Sequence, residues 1–577
     1  MNRIVAILSV IGLLTACGEG VPDADFTYAA GQEHNHLDPV KMSWSHDIRL
    51  AHCLYDTLVI FDFNDFVIRP GAAERWERSD DGLIYTFYIR ANARWSNGDP
   101  VTAQDYIHAW RRAMLPDFAA DYTQLMFHIR GAESFFNWRT EQLKQYAELA
   151  KTGSGGHADA AESLWQLTGD EFQDRVGLSA PDDKTLVVRL TQSTSYFLEL
   201  VAFSIYMPVH AHSVEVATSV NPRTGMRQTR SDYWSNSITN GPYQIAKREF
   251  KRYMLLTAND HYWDRAAMKN SRIREDIITN APTALTAYHA GEVDFLPDMP
   301  SAGPIPSDLS RADRPDVHLQ KMAGTYFYNF NCQPRLADGR ENPLADVRVR
   351  RALSMAIDRK IIVKRVTQLN QPIARSYVPV GAIGGYRPPV EDGITFDPVR
   401  ARQLLADAGY SDGSNLKGLS ILYNTNAYHE LSAQAIKSMW QEYLGVVVTL
   451  EGEEGKAFSV KLKKQDYTIA RAAWFGDYAD ATTFLEKMTT NDGNNDCRWS
   501  NEQFDRLIEQ AAFEPDPKRR NQVLASAESI LLREAPMALI FQYVNLYLYD
   551  PQRLHGLRPN AWNRWRFEQV EVGGKRQ

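Results

Sequence analysis

The segment Ala470-Arg-Ala-Ala-Trp-Phe-Gly-Asp-Tyr-Ala-Asp-Ala-Thr-Thr-Phe-Leu485 holds the residues best placed to do chemistry. A run of small and apolar residues leads into Trp474, Gly476 and Asp477, with Tyr478 beside the carboxylate. Such a carboxylate suits a partly desolvated cation, because a buried ammonium is costly unless an anion pairs with it. The same aspartate could instead cap the Thr-Thr-Phe-Leu turn that follows, and composition alone favours the cap. Gly409-Tyr-Ser-Asp-Gly413 matches the G-x-S-x-G elbow of serine hydrolases, with Ser411 as the nucleophile. That elbow needs a strand before it and a helix after it, whereas here a helical pattern precedes and Gly409 falls where a helix C-cap belongs. His210-Ala-His212 lacks zincin spacing, and no phosphate or dinucleotide loop is present. His34 and His36 could hold a metal, but the polar stretch 18–36 reads as a solvated tether. Nothing in these patterns demands catalysis, and neither a resident metal nor a cofactor is expected.

The elements that must position these residues are legible in part. Leu83–Arg90 and Lys184–Leu190 alternate as half-buried strands do. Thr102-Ala-Gln-Asp105 reads as a capping box that opens a helix through Trp110. Asp397-Pro398 predicts an N-cap with proline at the first helical position, and Gly409 closes that helix. A further helix is expected near Ser500, with Gln503 three residues on, and residues 151–157 read as a flexible surface loop. Strands and helices are mixed throughout without an internal repeat, so the class is α/β or α+β.

Composition narrows the function. The 577 residues allow three or four domains at about 150 residues each. Hydrophobic residues at 44% and charged residues at 23% exclude a disordered chain. Lys and Arg number 64 against 71 Asp and Glu, a net charge of -7 that argues against a nucleic-acid partner. The 27 Tyr, 24 Phe and 13 Trp supply the side chains from which ligand-stacking clefts are built.

The N-terminus carries an address. Arg3 precedes an apolar run from Ile4 to Ala16, the length of a signal-peptide core. Leu14-Thr15-Ala16-Cys17 resembles the bacterial lipobox, which implies that Cys17 is lipidated and becomes the mature N-terminus. No later stretch reaches the roughly 18 consecutive apolar residues of a spanning helix. An exported, lipid-anchored protein of the periplasm or cell envelope is expected. Cys53, Cys332 and Cys497 remain; they allow one disulfide, and sequence fixes no pairing.

Five blocks resemble, in order, the periplasmic oligopeptide-binding proteins of peptide ABC importers, solute-binding protein family 5. They are Trp95-Ser-Asn-Gly-Asp-Pro-Val-Thr-Ala-Gln-Asp-Tyr106, Thr239-Asn-Gly-Pro-Tyr243, Asp346-Val-Arg-Val-Arg-Arg-Ala-Leu353, Trp474 to Leu485, and Gln542-Tyr-Val-Asn545. The resemblance spans roughly residues 37 to 570. It implies an α/β fold, the two-lobed periplasmic-binding-protein clamp (type II) with an additional third domain. Lobe I would comprise 37–55, 187–324 and 546–577, the extra domain 56–186, and lobe II 325–545. The implied partners are an oligopeptide ligand and the permease and ATPase subunits of the importer, with the membrane touched only through the lipid anchor and the receptor itself a monomer.

The resemblance also assigns residues, and it reverses the preference for a cap at Asp477, which matches the family's aspartate for the peptide α-ammonium. Tyr122, Asn240, Trp474 and Tyr543 match cleft-lining positions. Arg471 and His429 match basic positions that meet the peptide carboxylate at different peptide lengths. Departures stand beside these matches: Gly455 where well-known members have a cleft tryptophan, Phe475 in place of a half-cystine, and Leu462 in place of an arginine serving short peptides. They imply altered side-chain pockets and a shifted length preference. A murein peptide, a nickel chelate or haem would be alternative cargoes on the same fold, and an envelope peptide sensor an alternative role.

Overall fold

The computed structural model describes residues 21–34, 36–152, 157–299, 304–312 and 314–574. Cys17 and the glycine-rich centre of the 151–157 loop lie outside them. The strands of the main sheet are β1 (Phe26–Ala30), β2 (Tyr243–Glu249), β3 (Tyr253–Ala258), β4 (Arg272–Ile277), β5 (Phe295–Leu296), β6 (Val317–Phe330), β7 (Leu419–Asn424), β8 (Val448–Glu453), β9 (Ile469–Phe475) and β10 (Met537–Tyr549). They form one ten-stranded sheet in the order β2-β3-β4-β1-β5-β10-β6-β9-β7-β8.

The long strands β6 and β10 run through both halves of this sheet. Their antiparallel ladder has two stretches, Val317 to Lys321 against Leu548 to Val544 and Thr325 to Asn329 against Gln542 to Met537, with a register shift between them. The ladder therefore breaks at Met322–Gly324, where few inter-strand bonds resist bending. Beyond the break, side chains alternate between two cores: Tyr326, Tyr328 and Phe330 enter one, Phe327 the other. Gly324 lies opposite Phe475, and a Cβ there would strike the phenylalanine ring. No cysteine faces Phe475, so the aromatic ring over a glycine fills the space.

A separate four-stranded sheet joins Ala73–Arg78, Ile84–Ile89, Thr185–Arg189 and Leu178–Asp182, in that spatial order. The alternation of the two central strands is that expected from sequence. Helix α1 (Ser45–Leu54) is followed by α2 (Ala103–Ala113), whose capping box is formed by Thr102 and Asp105. Helix α3 (Pro398–Asp407) starts at the Asp397 cap, and Gly409 beyond it adopts φ +93°. Ser411 is exposed in the turn after this helix, so the strand-before-helix requirement of a hydrolase elbow is not met. Helix α4 (Glu502–Phe513) is capped by Asn501, one residue past the expected Ser500.

One expectation is overturned. The stretch 18–36 is not a tether throughout, since Phe26–Ala30 is a fully buried strand lying parallel to β4. Phe26 and Tyr28 enter a large hydrophobic core, and His34 is buried as well. The alternation Phe-Thr-Tyr is short, and the polar residues on either side mask it.

Candidate functional site

The site begins with β9. Its side chains alternate, Arg471 and Ala473 on one face and Ala472 and Trp474 on the other. One backbone edge of β9 pairs with β6 along its whole length, but β7 pairs only with Ile469 and Ala470 on the other edge. Among the described residues no strand pairs that second edge over 471–475. Five residues of extended backbone, about 16 Å at ~3.3 Å each, thus present free N–H and C=O groups.

A carboxylate closes one end of this edge. Gly476 donates its N–H to the Ala323 carbonyl (2.9 Å), and a Cβ on it would strike Trp562, which fixes the turn that follows β9. The Asp477 N–H is then held by Thr483 Oγ1 (2.9 Å). Capping of the Thr482–Leu485 turn falls to Asp480, whose Oδ1 accepts from the Thr482 N–H (3.0 Å) and hydroxyl (2.7 Å). Arg520 grips the same aspartate with two nitrogens, at 2.5 and 2.9 Å. The Asp477 side chain is therefore not used as a cap. The Tyr122 hydroxyl, which donates to the Ser43 carbonyl (3.5 Å), lies near the Asp477 carboxylate. Burial pushes the pKa of this carboxylate up to about 6, opposed by Tyr122 and the cations Arg564 and Lys487. Tyr122 is set by an edge-on contact with Phe203, 4.9 Å between ring centres.

A guanidinium marks the other end. Arg471 donates to Tyr543 Oη (3.0 Å) and Asn424 Oδ1 (3.3 Å), and lies 4.9 Å from the Tyr326 ring centre. Its Nε is buried without a partner, and no carboxylate reaches it among the described residues. Burial works against its charge, yet Tyr543, Tyr326 and Tyr428 hold its pKa above the ordinary arginine value. Tyr543 also packs on Phe475 at 4.6 Å. Trp474 lines the strand between the two ends; its Nε1 donates to the Thr483 carbonyl (2.7 Å), and Lys487 Nζ sits 4.1 Å from its ring centre.

Two expected site residues are placed differently. His429 is buried against Tyr326, with Nδ1 3.1 Å from the Tyr326 hydroxyl. Burial and the neighbouring Arg471 push its pKa down to about 3, so it is neutral and supplies no charge for a carboxylate. Asn240 is buried: its amide accepts from the Asp56 N–H (3.0 Å) and donates to the Asp56 carbonyl (3.1 Å). Both amide groups are thus committed to bracing the backbone. Near Leu462, Lys461 is paired with Glu453 (2.5 Å) and Lys463 with Asp496 (3.0 Å).

Sequence reasoning missed Arg564 and Lys487. Burial lowers the pKa of Arg564 to about 10, while Tyr122 and Asp477 support its charge. It lines two cavities, of about 230 and 360 Å³. Its guanidinium makes no side-chain hydrogen bond among the described residues. Lys487, buried over Trp474, has its pKa lowered to about 8 by desolvation. No local pattern marks either residue, because Arg564 lies 87 positions from Asp477 (564 less 477).

Comparison with known proteins follows this geometry. Residues 67–496 match the model for the middle region of bacterial extracellular solute-binding proteins, family 5. The chain is similar to the oligopeptide-binding protein OppA of Bacillus subtilis, 34% identical over 488 residues that cover 83% of this chain and 80% of the relative. It is similar in structure to the unliganded open form of the murein tripeptide-binding protein MppA, with a TM-score of 0.74, 28% identity, and 96% and 98% of the two chains covered. It is also similar to Haemophilus influenzae OppA in complex with the peptide RPPGFSPFR, with a TM-score of 0.69, 26% identity, and 95% and 98% covered.

Proposed function

We infer the function from one premise: this chain belongs to the bacterial extracellular solute-binding proteins of family 5. It is the substrate-binding receptor of an ABC importer, capturing oligopeptides in a cleft between lobes and delivering them to a membrane permease. The observation that carries the peptide reading is the unpaired edge over 471–475, bounded by an anion at Asp477 and a lone guanidinium at Arg471. An extended peptide adds to that edge as a strand, so backbone hydrogen bonds give affinity without reading sequence. Its α-ammonium pairs with Asp477 and Tyr122, and its carboxylate takes the parallel donors of Arg471. An edge of about 16 Å suits four or five residues. The receptor performs no bond chemistry; binding draws the lobes together about the break in the β6–β10 ladder.

Two finer points belong to this reading. Lipidation at Cys17 holds the receptor at the envelope, supported by the lipobox pattern and by the absence of any membrane-crossing helix among the described residues. Arg564, beside the ammonium site, selects ligands with a carboxylate near their amino terminus, and this favours acidic peptides, murein fragments among them, over chelate or haem cargoes.

The test is a thermal-shift titration of protein stripped of endogenous ligand by unfolding and refolding. Ligand at 100 times its Kd adds about 2.7 kcal/mol of stability. At about 2.1 cal/mol/K per residue that is a shift of roughly 2 °C if the whole chain unfolds as one unit, and roughly 5–9 °C if a domain of about 150–250 residues unfolds by itself. A pool of four- and five-residue peptides gives the shift, and the same pool N-acetylated does not. Equal shifts from both pools would overturn the ammonium site at Asp477.

A further inference from the structure

Behind the cleft wall of lobe I lies a buried group of four titratable side chains: His34 after β1, His46 and Asp47 in the first turn of α1, and Glu275 on β4. None is more than 6% exposed. His34 Nδ1 lies 2.8 Å from Asp47 Oδ1, and His46 Nε2 lies 3.2 Å from the same oxygen. On the outer side, His34 Nε2 meets Glu275 Oε2 at 2.8 Å and His46 Nδ1 meets the Gln32 amide at 2.9 Å. Asp47 Oδ2 is buried without a hydrogen-bond partner.

We propose that His34, His46 and Asp47 bind one divalent transition-metal ion of the zinc class. Two observations converge on it. In a tetrahedral site with bonds of about 2.0–2.1 Å, ligand atoms stand roughly 3.3 Å apart, close to the separations found here. Each histidine turns one nitrogen toward the shared Asp47 oxygen; the other nitrogen of His34 meets the Glu275 carboxylate, while that of His46 meets the Gln32 amide nitrogen, and this amide must rotate by 180° for His46 to ligate through Nε2. The carboxylate partner fixes the tautomer and orientation of His34 as outer partners do for metal-bound imidazoles.

The ion ties the segment after β1 to the start of α1, whose Ser45 lines the 230 Å³ cavity of the cleft. It is thus a structural ion that sets one wall of the ligand site, and it stands independently of the cargo.

The test uses tag-free protein, stripped with chelator and titrated with Co²⁺ and then Zn²⁺. One Co²⁺ per chain is expected, with the intense visible absorption of a low-symmetry, four-coordinate site, displaced by one Zn²⁺ that raises Tm. Glu275→Gln, which alters only the outer partner of His34, weakens Zn²⁺ binding roughly 10–100-fold. His46→Gln abolishes the Co²⁺ band; this residue lies at the margin of the group, so the variant keeps the test open if His34→Ala does not fold. A stripped wild-type protein that shows no Co²⁺ band at millimolar Co²⁺ would overturn the proposal, leaving a protonated His34 between two carboxylates. An unchanged band in His46→Gln would overturn it equally.

Discussion

Asp477 is deeply desolvated, and in the proposed function its pairing partner arrives only with the ligand. Its pKa of about 6 gives the sign of a pH effect. Only the ionised carboxylate pairs with a charged ammonium, so affinity is greatest near pH 7 and declines again as the peptide α-ammonium, with a pKa of about 7.7–8.0, loses its proton. It falls about tenfold for each pH unit below 6. Isothermal titration with one neutral tetrapeptide between pH 5 and 8 checks this, and Asp477→Asn should bind weakly with a flat profile. Arg564 makes a second residue-scale prediction. Arg564→Gln should lower affinity for a peptide with Glu at its second position by about 10-fold or more relative to the same peptide with Gln, since hydrogen bonds to charged groups are worth about 1.5–3 kcal/mol. Equal losses for both peptides would remove Arg564 from selectivity.

At the scale of elements, buried polar links hold the parts that carry the site. Asp105 shows how much one residue can carry. It completes the capping box of α2, accepts from the Trp95 indole at 3.1 Å, and accepts from the Ala211 N–H at 3.0 Å. Asp105→Ala should cost about 1 kcal/mol for the cap, and about 1–3 kcal/mol more for the stranded indole. Urea unfolding monitored by fluorescence reads that sum as a lower midpoint with unchanged slope. The capping box itself was legible, because its donors and acceptors lie within one helical turn. The bonds to Trp95 and Ala211 were not, because they join segments that only folding brings together. The same division separates Asp480 from Asp477: both precede the Thr482 turn, and only the arrival of Arg520 from α5 (Pro517–Glu534) settles which one is the structural carboxylate.

At the scale of the molecule, one ten-stranded sheet runs through β6 and β10, and buried side chains join segments far apart in the chain. Tyr196 stacks on Tyr478, with ring centres 5.3 Å apart and planes 5° from parallel, and its hydroxyl donates to Glu486 at 2.8 Å. Tyr196→Phe retains the stack and loses the hydrogen bond, while Tyr196→Ala loses both. Such a stack is worth about 0.5–1.5 kcal/mol and the hydrogen bond about as much again, so Tyr196→Ala should weaken peptide binding by roughly 5- to 160-fold without touching the ligand site. X-ray scattering should show a smaller ligand-induced contraction for the same variant; an unaltered affinity and contraction would mean that this contact does not stabilise the closed form.

The sequence by itself determined what local interactions decide. Caps at Thr102 and Asp397, the two alternating strands of the small sheet, and the ordered blocks that placed the chain in its family all depend on residues a few positions apart. It also raised Asp477, beside Trp474 and Tyr478, as a candidate, although its neighbours favoured a helix cap and only the family resemblance preferred a binding role. Tertiary structure alone decided the rest. The edge of β9 is free because β7 stops pairing after Ala470, His429 is neutral because Arg471 and burial act on it together, and Asn240 is spent on the backbone of Asp56. His34 moved from an expected tether to a buried group completed by Glu275, 241 residues away. The physical reason is common to all of these. Desolvation and charge pairing depend on which distant segments are brought within a few ångströms, and no local pattern records that.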